Sequence, residues 1–154
     1  MKRVFVEGKP DLALVKALGV SRQEASMAGN KGKVCHIARK NPPAVGLVDE
    51  DPDEELPGYL RDLKKEDLGQ NLLLYRDAKN GNKIIALCPR LEEWLLKVCK
   101  QDGVKLGDFF LPDKPVELHK EWPRHLPKLE KLVAHLLELK NPALLLLQLH
   151  LLEK

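Results

Sequence analysis

Two short apolar runs in this chain each end directly on a carboxylate. Val4-Phe5-Val6 leads into Glu7, and Ala44-Val45-Gly46-Leu47-Val48 leads into Asp49. Apolar residues at every position, with no polar alternation, mark strands buried on both faces. Such strands need helices above and below them. PDLALVKALG supplies one: Leu12, Val15 and Leu18 recur at helical spacing, and Gly19 suits the end of the helix. ASMAGNKG predicts a short strand entering a polar, glycine-bearing turn. GKVCHIARKN predicts a short helix with Val34, Ile37 and Ala38 inward, stopped by Pro42 and Pro43. Strands alternating with helices imply parallel β-α units. The expected fold class is therefore α/β, a Rossmann-like and mostly parallel sheet with helices on both faces.

Further on, EELPGYLRDL places Leu56, Tyr59, Leu60 and Leu63 on one helical face. NLLLYRD and NKIIALC flank the turn-like KNGN and predict a hairpin. PRLEEWLLKVC is strongly amphipathic: Leu91, Trp94, Leu95, Val98 and Cys99 share a face, with Pro89 expected in the first turn. From Leu111 onward there are five prolines and only helical periodicity. Leu126, Leu129, Val133, Leu136 and Leu137 form one stripe, and NPALLLLQLHLLEK is apolar on most sides. The expected division is a core over 1–112 and a helical C-terminal extension over 113–154. That extension is expected to pack on the core or on another subunit, as a homo-oligomer or with a partner protein. Trp94 and Trp122 read as core or interface anchors, Glu92 as a surface helix residue, and the histidines of the tail carry no predicted chemistry.

With 154 residues, 44% hydrophobic and 32% charged, the chain reads as soluble and globular, and a net charge of +3 leaves local clustering to decide its partners. Cys35, Cys88 and Cys99 form no CxxC pair and indicate neither a zinc ribbon nor a disulfide framework. A reducing cytoplasm is the expected setting. The opening MKRVFVEG is too short for a signal peptide, and Lys140, Gln148 and His150 interrupt the leucine-rich tail, so no membrane association is expected.

The densest charge is VGLVDEDPDEE, with six acidic side chains in the seven positions 49–55. In open α/β sheets the ligand crevice lies outside the carboxyl ends of the strands. If the strands ending at Glu7 and Asp49 are neighbours, their carboxylates face one crevice. Asp49 and Asp51 point the same way if the chain stays extended. Clustered carboxylate oxygens suit a hard cation such as magnesium, which also leaves positions for water and phosphate oxygens. A calcium EF-hand loop is excluded, because its glycine and final glutamate positions hold Glu54 and Leu60. Asp11 reads as a cap of the first helix. Glu50, Glu54 and Glu55 read as solvated, the last two favoured by a helix N-terminus.

Val6-Glu7-Gly8-Lys9 with Asp11 resembles the first motif of the Toprim domain, hydrophobic-Glu-Gly-x-x-Asp. Val48-Asp49-Glu50-Asp51 resembles its second, a strand-terminal DxD, and Gly29-Asn30-Lys31-Gly32-Lys33 falls where the family commonly has a glycine-containing turn. PRLEEWLL is similar to a segment of small Toprim-like proteins related to the OLD-family nucleases. The resemblance covers roughly 1–100. It implies a Toprim-like catalytic core that binds magnesium, with manganese as a substitute, and acts on the phosphodiesters of DNA or RNA. Carried over, Glu7 is a metal ligand or general acid/base, Asp49 and Asp51 are magnesium ligands, and Asp53 completes a second metal site. Lys9, Lys31 and Lys33 would hold substrate phosphates. Tyr59 and Tyr75 lie outside any topoisomerase-like context, and no zinc module or ATPase domain accompanies the core. The implied activity is that of a metal-dependent nuclease or phosphotransferase. The alternative is a non-catalytic Toprim-like binding module, or a subunit of a larger nucleic-acid-processing or ATPase complex. An unrelated aspartyl phosphatase would leave Glu7 without a role.

Overall fold

Side-chain alternation splits the strands cleanly between two faces. The computed structural model describes residues 2–153. The first half runs β1 (Arg3–Val6), α1 (Lys9–Ala17), β2 (Ala25–Met27), α2 (Lys31–Lys40) and β3 (Ala44–Asp49). A one-turn α3 (Gly58–Arg61) leads to β4 (Lys64–Gly69), β5 (Leu72–Asp77) and β6 (Asn82–Leu87). The chain ends in α4 (Leu91–Gln101), a 3-10 turn (Leu106–Phe109), α5 (Pro115–Glu138) and α6 (Pro142–Leu152). Six strands form one sheet in the order β2-β1-β3-β6-β5-β4. β2, β1, β3 and β6 are parallel, and β5 and β4 continue the sheet antiparallel. The fold is thus α/β and Rossmann-like, with a mixed, mostly parallel sheet.

Val4, Val6, Val45, Leu47, Ile85 and Leu87 face one side, packing with α1, α4, α5 and α6. Phe5, Ala44, Val48, Ile84 and Ala86 face the other, against α2 and α3. Leu118, Leu129, Val133, Leu136 and Leu147 join the first cluster, so residues beyond 113 share a core with the sheet. Asn141 fastens α6: its Oδ1 accepts from the Ala143 and Leu144 N–H groups, and its Nδ2 donates to Val98 O and Asp102 Oδ2. Among the described residues no single helix is long and apolar enough to cross a membrane.

Three local expectations change. The helix expected around Leu56–Leu63 is only the single turn of α3. Pro57 sits at its N-cap, and the chain leaves for β4 three residues after Arg61. β4, KKEDLG, is an edge strand that the apolar pattern does not mark, because its residues are nearly all exposed and its pairing with β5 is made by backbone. Pro89 precedes the N-cap Arg90 instead of lying in the first turn of α4.

Gly46 sits mid-strand in β3 because α2 approaches closely there. A Cβ at this position would lie 2.6 Å from Ile84 Cδ1 and 2.8 Å from Val34 Cγ1. Gly46→Ala overpacks this layer and should cost about 1–3 kcal/mol. Urea unfolding would show a lower midpoint at unchanged slope; an unchanged midpoint would contradict the close approach.

Candidate metal centre

β1 and β3 are neighbours in parallel register, with Val6 opposite Leu47. Glu7 and Asp49 therefore emerge side by side. From β1 the chain passes through α1 to β2 on one side, then crosses back through α2 to β3 on the other. α1 and α2 cover opposite faces. The strand order thus reverses between β1 and β3, and such a reversal opens a crevice at the carboxyl ends.

Asp51 reaches this crevice by a route other than strand alternation. The expected extended stretch ends at Asp49, and Asp51 adopts φ 46°, the left-handed region that Asp tolerates better than most residues. The Glu50 N–H still donates to Leu87 O at 2.9 Å, and the Asp51 N–H to Pro89 O at 3.0 Å, so the loop stays tied to the end of β6. The result is that one carboxylate oxygen from each of Glu7, Asp49 and Asp51 lies within 4.8 Å of the others. Two of the three are oriented by backbone. Glu7 Oε2 accepts from the Asp49 N–H at 2.7 Å, and Asp49 Oδ1 accepts from the Leu91 N–H at 3.0 Å, at the start of α4. Each keeps a second oxygen for a ligand. Asp51 is matched by cations: Arg90 Nε stands 2.9 Å from Oδ1 and Lys31 Nζ 4.0 Å from Oδ2.

The other residues singled out in the sequence divide. Lys31 is buried and donates to Glu50 O at 2.6 Å, so it braces the loop from beneath and does not reach outward for phosphate. Asp53 stands outside the group; its side chain is 90% exposed and, among the described residues, pairs only with Arg90, at 3.6 Å. Lys9 is exposed at the start of α1. Lys33 is exposed in the first turn of α2, and a Cβ built on Gly29 would lie 3.9 Å from its Nζ. Because Gly29 lines the crevice, the Lys33 amine sits at its rim.

The sequence does not mark Glu92 or His119 for the crevice, and it marks Asp11 as a helix cap within the first motif. A cavity of about 220 Å³ is lined by Glu7, Asp11, Asp49 and Glu92, with His119 at its edge. Asp11 does cap α1, accepting from the Gly8 N–H at 3.1 Å, but it is also buried beside Glu7. Glu92, expected at the surface, is buried: Oε2 accepts from Trp122 Nε1 at 2.7 Å and lies 3.5 Å from His119 Nδ1. α5 thus brings His119 to the wall of the crevice and anchors Glu92 through Trp122. A wider cavity of about 430 Å³ continues outward past Asp49, Glu92 and His119 to Asp51 and Arg90. The one available signal was Trp122, whose indole N–H needs an acceptor when buried.

Burial and mutual repulsion dominate the electrostatics. Burial, then the charges of Asp11, Glu7 and Glu92, pushes the Asp49 carboxyl up to about 8. Burial, then Glu7, pushes Asp11 up to about 7. Glu7 is also raised, mainly by burial and against the opposing hydrogen bond from the Asp49 N–H. At neutral pH Asp49 therefore favours its protonated form unless a cation takes the place of the proton.

No family model matches the sequence, no curated protein matches it, and no solved structure matches the chain. The chemistry of the site therefore has to be read from its own residues.

Proposed function

We propose that the chain is a Toprim-type, magnesium-dependent enzyme acting on nucleic-acid phosphodiesters, as a nuclease. The observation that carries this reading is the convergence of Glu7, Asp49 and Asp51 at the reversal point of the sheet. The donor set suits the ion. Three carboxylates offer hard oxygens of the kind magnesium takes. One oxygen from each of Glu7, Asp49 and Asp51 lies within 4.8 Å of the others, so these three side chains would hold the ion. Manganese fits the same oxygens.

A bound divalent cation would supply charge neutralisation at the phosphoryl oxygens. The residues of the chain do the rest. Glu7 and Asp49 are held in position by backbone N–H groups, so little side-chain freedom is lost on binding. Arg90 balances Asp51 and Asp53 at the outer wall. Lys33, beside Gly29, and Lys9, between Gly8 and Pro10 of the lining, are the exposed lysines that would meet a phosphate. Incubating labelled DNA and RNA with the protein in magnesium or manganese, beside a Glu7→Gln/Asp49→Asn variant, tests the reading. Equal cleavage by both proteins would overturn it.

A second reading, a non-catalytic Toprim-like module or subunit, is favoured by α6. Leu145, Leu149 and Leu152 are exposed there at helical spacing, as a surface for another chain would be. Cation binding without any turnover would support this second reading over the first.

A further inference from the structure

We infer that a single strand of nucleic acid is held in a basic cleft at the far end of the sheet and led along α2 to the acidic crevice. The cleft is an open cavity of about 680 Å³ between the end of α2, α3 and the β4–β5 ribbon. Four cationic side chains line it: Arg39, Lys64, Arg76 and Lys79. The carboxylates there are Asp62 and Asp77, and both oxygens of Asp77 are engaged. Its Oδ2 accepts from Tyr59 Oη at 2.7 Å and its Oδ1 from the Lys79 N–H at 3.2 Å. Arg76 reaches Glu66 at 3.5 Å. Among the described residues Arg39, Lys64 and Lys79 make no ion pair. The Arg39 guanidinium lies 5.8 Å from the centre of the Tyr59 ring. An aromatic ring with an arginine on its face is a platform on which an unstacked base can lie.

α2 joins this cleft to the acidic crevice. The helix holds no acidic residue, and Lys33, His36, Arg39 and Lys40 are all exposed along it. Its ten residues span about 15 Å at ~1.5 Å each. Lys33 stands at the rim of the crevice over Gly29, and Arg39 stands in the cleft. Arg39, Lys64, Arg76 and Lys79 gather in the cleft, and Lys40, His36 and Lys33 carry the basic line on along α2 toward the crevice. A basic line longer than one phosphate matches a phosphodiester backbone. The inference rests on the proposed phosphodiester chemistry for the direction in which the strand is led, but binding in the cleft does not require catalysis.

Fluorescence anisotropy of a labelled single-stranded oligonucleotide, as DNA and as RNA, tests this with the full chain in EDTA over a salt series. The comparison is Arg39→Gln/Lys64→Gln/Lys79→Gln, three exposed positions whose replacement should leave the fold intact. The variant should bind about tenfold more weakly or worse, and its salt slope should fall by about 2, near 0.7 per lost phosphate contact. Glu7→Gln/Asp49→Asn should bind at least as tightly as the unaltered chain. Unchanged affinity and slope in the triple variant, loss of binding in the acidic-site variant, or full competition by inorganic phosphate at micromolar concentration would each overturn the inference. A chain that binds in EDTA yet cleaves nothing in magnesium leaves this inference standing and removes the catalytic reading.

Discussion

Cleavage by the Glu7→Gln/Asp49→Asn protein is expected to fall about a thousandfold or more below that of the unaltered chain. Residues that merely orient a metal's ligands are worth about 10- to 100-fold, and these two would be ligands themselves. The replacements keep shape. A glutamine at position 7 can still accept from the backbone N–H of position 49, and an asparagine at position 49 can still accept from the Leu91 N–H. Those are the contacts that hold both side chains now. Only charge is lost. Removing a half-buried carboxylate that burial and its neighbours disfavour should leave the metal-free protein as stable as before, or more so. The decisive result is lost cleavage with an undiminished thermal midpoint. Loss of cleavage together with loss of folding would not support a role in the chemistry.

The second large effect is on stability. In EDTA, the protein should lose stability as pH rises from about 4 to about 8, and a divalent cation should restore it mainly at the upper end. The sign follows from Asp49. Its folded value of about 8 lies above the ordinary Asp value of about 3.9. Below about pH 4 both folded and unfolded chains hold the proton, and the contribution is fully present. Between about 4 and about 8 the unfolded chain releases the proton while the folded one retains it, so stability falls with pH. Asp11, at about 7, acts in the same direction. The combined effect is on the order of a few kcal/mol. A cation binds the ionised carboxylates, so the midpoint shift it causes should be larger at pH 8 than at pH 5. Thermal melts at both pH values, with EDTA and with manganese, should show this for the unaltered chain. Asp49→Asn should flatten the pH dependence and lose most of the manganese shift. A cation shift that is equal at both pH values, or unaffected by Asp49→Asn, would contradict the account.

Much of this fold is legible because its strands are buried on both faces. Phe5 and Val48 need apolar cover on one side of the sheet, and Val6 and Leu47 on the other, so the short runs that hold them are apolar at every position. α4 is legible for the complementary reason, a single apolar face at helical spacing. β4 is not, because an exposed edge strand has no apolar face to reveal it. α3 misleads because Leu56, Tyr59, Leu60 and Leu63 do pack together, although only one turn is helical. The acidic site divides along similar lines. Glu7 and Asp49 are fixed by strand ends, which a sequence displays. Asp51 arrives through a left-handed turn, and Glu92 depends on Trp122 and His119 from a helix that begins far along the chain. Contacts of that kind have no spacing to read. Lys31 shows the converse: its place in a glycine-containing turn suggested phosphate, whereas its burial turns it inward to Glu50 O.

The central claim is that Glu7, Asp49 and Asp51 share one cation. The most direct measurement is a crystal structure after a manganese soak, with the ion located by anomalous scattering. The account predicts an ion within about 2.0–2.3 Å of an oxygen from each of the three side chains, with Arg90 withdrawn from Asp51 or retained on its other oxygen alone. An ion-free crevice at saturating manganese, with Arg90 and Lys31 still holding Asp51 as they do now, would contradict it.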